Sequence, residues 1–529
     1  MEKNSFVEEI ITTKTAPARS YKKALFCAFI TFVLAAVWWG IGSQKCGFHF
    51  DEIATFVLSN HQYAKPTFVD GKIYKGEDLW EDNLTTAGNR RFDYTNLLIN
   101  QKGDPHPPQY YLLVHTVASI FPKMSEISIG LLINIPLACV VFWQMVWIFG
   151  HLGVEKQMSV LLSVAYVLGT GFVNHAVIFF RMYCLMTVWC NLLLMVFLKF
   201  GPEERVSWKY CAALGLTLFG GTMTQYYFLI YAFLLCALYA LFVVWNRNWQ
   251  KLFLSLGMAG ITAIITVKVF PVILRDIFSD YRGKEAFKNA SMFDSLWKNL
   301  WRYLEMINQN TFGGLFIMAL AILFVLLIVS SGMKKERMGS KPRQQYCLLT
   351  IPAGIYVLII ALVSPMREFR YVSVVADLLY VALFAGLAGI AKRFSLRAVI
   401  LVLVLAGLML FTGYKGGLWL LHLNEPERVK QILPYKNSLN IFLYARGRAW
   451  DTKEYFLLFR GLDRISFVNE KNWGNIKDMN YGVKSMVLWL ANRLKLNHDE
   501  VINTVKKANK FKSHKRLYKD GRATVYYLK

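Results

Sequence analysis

The chain has 529 residues, with 60 Lys and Arg against 34 Asp and Glu, 55% hydrophobic residues and only 18% charged ones. Soluble domains carry about a quarter charged residues, whereas here the apolar residues gather in runs such as 131–141, 192–200, 315–329 and 399–411 that nearly lack charge. This excludes fibrous, disordered and disulfide-scaffold classes and points to a polytopic membrane protein. Its net charge of +26 is then read as topology-setting loop charge with an attraction to anionic lipid or wall polymer, not to nucleic acid.

In chain order, a first span at 24–41 follows Lys14, Arg19, Lys22 and Lys23, and no small-residue cleavage site succeeds it. It reads as an uncleaved anchor with a cytoplasmic N-terminus. A polar loop over 42–126 comes next. Further spans are expected near 127–149, 158–178, 182–200, 208–223, 226–245, 252–274, 311–332, 345–364, 371–391 and 397–421. The segment 109–121, QYYLLVHTVASIF, has thirteen residues bounded by Pro107, Pro108 and Pro122, too short for a hydrocarbon core of about 30 Å. Leaving it out of the count places 14 basic residues in the cytoplasmic loops, while the short loops opposite hold only Arg181, Arg367 and Arg370. Counting it as a span would invert that balance, so it is expected as an interfacial helix on the outer surface. The total is eleven spans, N-terminus in and C-terminus out.

The eight cysteines form no C-x-x-C pair, and seven lie in or beside apolar spans, so neither a disulfide framework nor a zinc site is written here. The tail, 422–529, loses the long apolar runs. It alternates β-like pieces (440–444, 465–468, 524–528) with amphipathic stretches (453–459, 499–510), which predicts a small extracytoplasmic α/β domain. Its 22 basic and 10 acidic residues suit either contact with anionic headgroups or plain solvation. The expected division is thus a transmembrane domain over 1–421 and a soluble domain over 422–529.

Candidate chemistry collects on one face under this topology. Asp51 and Glu52 lie about ten residues beyond the first span, in GFHFDEIATF. An acidic pair there can supply a general base, or merely occupy a helix start where the dipole favours it. The same loop later reads DPHPPQYY, from Asp104 to Tyr111, in which three prolines hold His106 in place or simply punctuate a turn. Arg181-Met182-Tyr183 ends the third span, Tyr226-Tyr227 starts the sixth, and Arg370-Tyr371 starts the tenth. A single interfacial arginine is commonly a headgroup anchor. Together, a carboxylate to deprotonate a hydroxyl, cations to neutralise a phosphate and aromatics to hold a sugar make an inventory for glycosyl transfer.

At these motifs the chain resembles the GT-C superfamily of membrane glycosyltransferases. FHFDEIATF, DPHPPQYYLLVH, FFRMYCL, TQYY and EFRY, in that order over roughly 20–390, are most similar to the branch of protein O-mannosyltransferases and lipid A aminoarabinose transferases. The resemblance implies a GT-C fold, a polyprenyl-phosphate-linked sugar donor, an outward-facing site and an aspartate base, which maps to Asp51. It places His106 against the donor phosphate, where some relatives carry Lys. Gln225 stands where many relatives have His. The expected activity is inverting sugar transfer to an extracytoplasmic glycan, lipid, wall polymer or protein. Asp51 is the expected base with Glu52 beside it, His106, Arg181 and Arg370 are expected on the phosphate, and Asp104 is expected among the substrate-binding residues. Tyr183, Tyr226 and Tyr371 would line the pocket. No cofactor is expected, although Asp51 and Glu52 leave room for a divalent cation. The alternatives are a lipid-linked-sugar flippase and a catalytically inactive scaffold of the same fold.

Overall fold

The computed structural model describes residues 3–61, 68–86, 88–280, 284–285, 288–289, 296–331, 339–394, 396–421, 426–473 and 482–529. Its first helix, α1 (Lys3–Gly42), ends at the start of the first polar loop. That loop is mostly helical. It carries α2 (Phe50–Asn60), α3 (Gly76–Leu84), α4 (Tyr94–Gln101) and α5 (Gln109–Ile120) before the long α6 (Glu126–His151). At 12 residues, about 18 Å, α5 is far shorter than a bilayer core, and it packs on α2 and α6.

Among the described residues, seven helices are long and apolar enough to cross a membrane, from Ala24–Gly42 to Arg397–Gly416. Two bent pairs meet the same criterion jointly. Lys156–Val167 and Thr170–Val177 meet at 57°, and Leu296–Phe312 meets Phe316–Ser330 at 82°. The remaining two expected spans are helices of 17 residues (Tyr183–Lys199) and 15 residues (Trp208–Thr222). The second bend turns on Gly313 and Gly314, whose φ angles of 58° and 86° favour glycine; a Cβ on Gly313 would lie 2.2 Å from the Met409 carbonyl oxygen. That bend explains why the span expected at 311–332 begins only at Phe316. The preceding helix, Leu296–Phe312, is amphipathic, with Trp297 and Trp301 exposed and Tyr303 and Ile307 buried.

The tail contributes five strands to a six-stranded sheet in the order β1-β3-β2-β4-β6-β5. The strands are β1 (Ile73–Tyr74), β2 (Leu439–Tyr444), β3 (Ile465–Asn469), β4 (Met486–Ala491), β5 (His514–Lys519) and β6 (Ala523–Leu528). The core strands β2, β3 and β4 are parallel, and β2 and β4 are buried throughout because both sheet faces are covered. On one face Ile441, Leu443 and Leu488 pack with Val501, Ile502 and Val505 of the helix His498–Asn509. On the other, Phe442, Phe467 and Trp489 join the aromatic cluster of Tyr455 and Phe459.

Strand β1 comes from the first polar loop and pairs antiparallel with β3, so the loop and the tail share one sheet. Gly76 seats α3 directly on the tail, where a Cβ would meet the Phe459 carbonyl oxygen at 1.7 Å. Asp70 accepts hydrogen bonds from the Asn469 backbone N–H and the Asn472 amide. The boundary expected after residue 421 abuts 422–425, which lie outside the described residues.

Candidate active site

Asp51 stands in the first turn of α2. The helix starts there because His49 caps it: Asp51 N donates to His49 Nδ1 (3.2 Å) while His49 N donates to Glu52 Oε2 (2.6 Å), a reciprocal capping box. Consecutive helical residues point about 100° apart, so the adjacent carboxylates diverge. The Asp51 side chain stays 27% exposed. Glu52 is fully buried and faces away, where it meets Lys45 Nζ at 3.2 Å and accepts the Phe180 backbone N–H at 2.9 Å. Glu52 therefore ties α2 to the segment before Tyr183–Lys199 and does not share a site with Asp51, contrary to the role expected beside the base. Among the described residues no group of three or more His, Cys, Asp or Glu is placed to hold a metal.

Two arginines converge on Asp51. Arg370, on the short 3-10 turn Phe369–Tyr371, forms an ion pair with Asp51 Oδ2, and its Nε lies 2.7 Å from Glu368 Oε2. Arg181 is 4% exposed. Its Nη1 donates to the Asp51 carbonyl oxygen (3.2 Å), Thr55 Oγ1 (2.7 Å) and Tyr111 OH (3.1 Å), while its Nε is buried without a partner. Arg181 Nη2 also lies 3.4 Å from His106 Nε2, and His106 Nδ1 lies 2.8 Å from Asp104 Oδ2. With Nδ1 donating to Asp104, Nε2 is left as the acceptor for Arg181. Tyr111 OH donates to the same Asp104 oxygen at 3.2 Å.

Burial raises the Asp51 carboxyl, but Arg181 and then Arg370 outweigh it and hold it well below the usual carboxylate range. Burial likewise raises Asp104, and His106, Arg181 and Tyr111 together bring it below its ordinary value. His49, whose Nδ1 is 3.6 Å from Asp51 Oδ2, is pushed down to about 4 by burial against the opposing pull of Asp51.

The aromatic residues divide. Tyr183 stacks on Phe179 at 5.8 Å and meets Tyr371 edge-on at 6.3 Å, and the Arg370 guanidinium sits over both Phe179 (5.8 Å) and Tyr371 (5.3 Å). Tyr226 instead turns outward from this cluster and donates to Asp276 Oδ2 (3.0 Å), while its neighbour Tyr227 reaches Tyr371 at 5.4 Å. The structure thus brings together Asp51, Asp104, His106, Arg181, Tyr183, Arg370 and Tyr371, and leaves Glu52 and Tyr226 on other contacts. Sequence reasoning passed over Tyr111, Thr55 and His49. Tyr111 lies inside the quoted QYY motif and His49 precedes Asp51 by two, so proximity to the quoted motifs was the available signal.

No protein-family model and no curated protein matches the chain. Solved structures do. ArnT from Cupriavidus metallidurans bound to undecaprenyl phosphate superposes with a TM-score of 0.54 and 10% identity, over 94% of this chain and 97% of that one. The same protein in the apo state gives a TM-score of 0.53 and 12% identity, over 95% and 98%. At such identities the likeness speaks for architecture alone, yet it covers nearly the whole of both chains. The chain shares the overall fold of these ArnT structures.

Proposed function

We propose that this protein is a membrane glycosyltransferase that moves one sugar from a polyprenyl-phosphate donor to an acceptor hydroxyl on the outer side of the membrane, with inversion. The observation that carries the reading is the meeting at one point of Asp51, Arg181, Arg370 and His106, residues from four separate segments spread over more than 300 positions. ArnT, which has this fold, is a protein solved with undecaprenyl phosphate bound. The outer location rests on the balance of basic residues between the loops.

In this mechanism the donor phosphate competes with Asp51 for the fork of Arg370, and Arg181 and His106 complete its cradle. Asp51, released from its ion pair, becomes the stronger base and takes the acceptor's hydroxyl proton. The acceptor oxygen bonds to the anomeric carbon as the bond from that carbon to the phosphate oxygen breaks. The electron pair leaves with polyprenyl phosphate, whose charge the two guanidiniums meet. A phosphate leaving group needs charge stabilisation more than a proton, which suits a site rich in arginine. Single-step displacement inverts the anomeric configuration.

The test is affinity for undecaprenyl phosphate in nanodiscs. Arg181→Ala and Arg370→Ala should each weaken binding by about tenfold or more, and the double variant by less than the product, because both serve one ligand. Unchanged affinity in all three would leave these arginines as membrane anchors and overturn the reading.

A further inference from the structure

We propose that Arg522, on the β5–β6 turn of the tail, is a positioning residue for the reaction, acting through Phe50 on Asp51; this rests on the function proposed above. The Arg522 guanidinium lies over the Phe50 ring at 5.1 Å, and Phe50 is the first residue of α2, directly before Asp51. It reaches there from a rigid support. Arg522 Nη1 donates to Asp451 Oδ1 (3.0 Å), and Asp451 is itself buried.

The turn behind it is held by Asp520, whose Oδ1 accepts the backbone N–H groups of Arg522 (2.7 Å) and Ala523 (2.8 Å). Tyr455 OH donates to Asp520 as well, and Arg428 pairs with it at 3.2 Å. The Asp520 contacts fix the backbone end of the Arg522 side chain, and Asp451 fixes its guanidinium end.

The backbone at 49–52 is therefore fixed on two sides. The capping box and the Glu52 contacts hold it from within the membrane domain, and the Arg522–Phe50 stack holds it from the tail. The first hold sets where α2 begins. The second sets its rotation about the helix start, and with it the direction in which Asp51 points. Residues beyond 500, far from the motifs of the first loop, then contribute to catalysis without touching substrate.

Arg522→Gln and Arg522→Lys test this in the full-length protein, with Arg460→Gln as control. Arg460 is another contact between tail and loop, over the Trp80 ring at 5.4 Å and 3.8 Å from Glu77, but away from Asp51. Two readouts are needed: backbone hydrogen exchange of the peptide covering 48–58, and turnover on the polyprenyl-phosphate-sugar fraction extracted from the native membrane.

Arg522→Gln should raise exchange in that peptide severalfold and lower turnover about tenfold, with affinity for bare undecaprenyl phosphate unchanged. Arg522→Lys keeps a cation over the ring and should restore most of both. Arg460→Gln should change neither, and Arg522→Gln should add nothing in a Phe50→Leu background. Unchanged exchange in Arg522→Gln overturns the proposal, as does an equal effect from Arg460→Gln. A wild-type protein that binds no undecaprenyl phosphate would instead sink the proposed function, while the exchange measurement would still decide the positioning claim.

Discussion

Replacing Glu52 by glutamine removes one charge from a fully buried ion pair without changing side-chain volume. In the folded protein Glu52 meets Lys45 Nζ at 3.2 Å and accepts the backbone N–H groups of His49 (2.6 Å) and Phe180 (2.9 Å). Burial pushes the Glu52 carboxyl up and the Lys45 ammonium down, each against the opposing pull of the other. A glutamine offers one acceptor for three donors and turns its NH₂ toward a backbone N–H or the ammonium. Removing one partner of a buried pair costs about 3–5 kcal/mol, a large share of a total stability of about 5–15 kcal/mol.

Thermal unfolding in detergent should therefore show a clear drop for Glu52→Gln. Lys45→Met combined with Glu52→Gln should recover part of it by leaving no lone charge. Asp51→Asn, whose side chain is partly solvated and whose partner Arg370 keeps Glu368, should lose less than Glu52→Gln. A Glu52→Gln protein as stable as wild type but as inactive as Asp51→Asn would refute the reasoning and return Glu52 to the chemistry.

Three further outcomes follow from the same geometry. Lysine at Arg181 or Arg370 should restore only part of the loss of undecaprenyl phosphate binding, about 1.5–3 kcal/mol for the alanine variants, because an ammonium lacks the planar fork; full rescue in a binding titration would contradict the assignment. Between pH 6.5 and 4 the unfolded chain binds a proton at His49 that the folded chain excludes, so stability falls as pH drops through that window; the thermal midpoint of His49→Asn, which keeps a cap acceptor, should gain on the wild type from pH 7 to 4.5. A Lys123→Cys variant in a background without native cysteines should be labelled from outside the cell, and labelling only from the cytoplasmic side would break the topology.

The convergence of Asp51, His106, Arg181 and Arg370 was legible because each sits where a polar loop meets an apolar run, and hydropathy with loop charge is a strong signal in a membrane chain. Helix phase was not legible. It turned Glu52 away from Asp51, and it sent Tyr227 rather than Tyr226 to Tyr371. Tyr111 stayed hidden because an aromatic in an apolar helix reads as core until its hydroxyl finds Arg181 and Asp104. In the tail, the pieces at 440–444, 465–468 and 524–528 do lie in strands, while β4, MVLWLA, passed unmarked. Strand β1 has two residues and exists only by pairing with β3, nearly 400 positions away. Such non-local pairing leaves no local pattern to read.

The central claim is that Asp51 is the base of a sugar transfer whose phosphate leaving group is held by Arg181 and Arg370. The most direct measurement compares wild type and Asp51→Asn, purified and reconstituted in proteoliposomes, for sugar transfer from the native polyprenyl-phosphate-sugar fraction and for affinity toward undecaprenyl phosphate. Loss of a general base should lower the rate by about 10²–10⁴. Affinity should hold or rise, because Arg370 no longer has the Asp51 carboxylate to leave and keeps only Glu368. Transfer by Asp51→Asn at close to the wild-type rate would contradict the account.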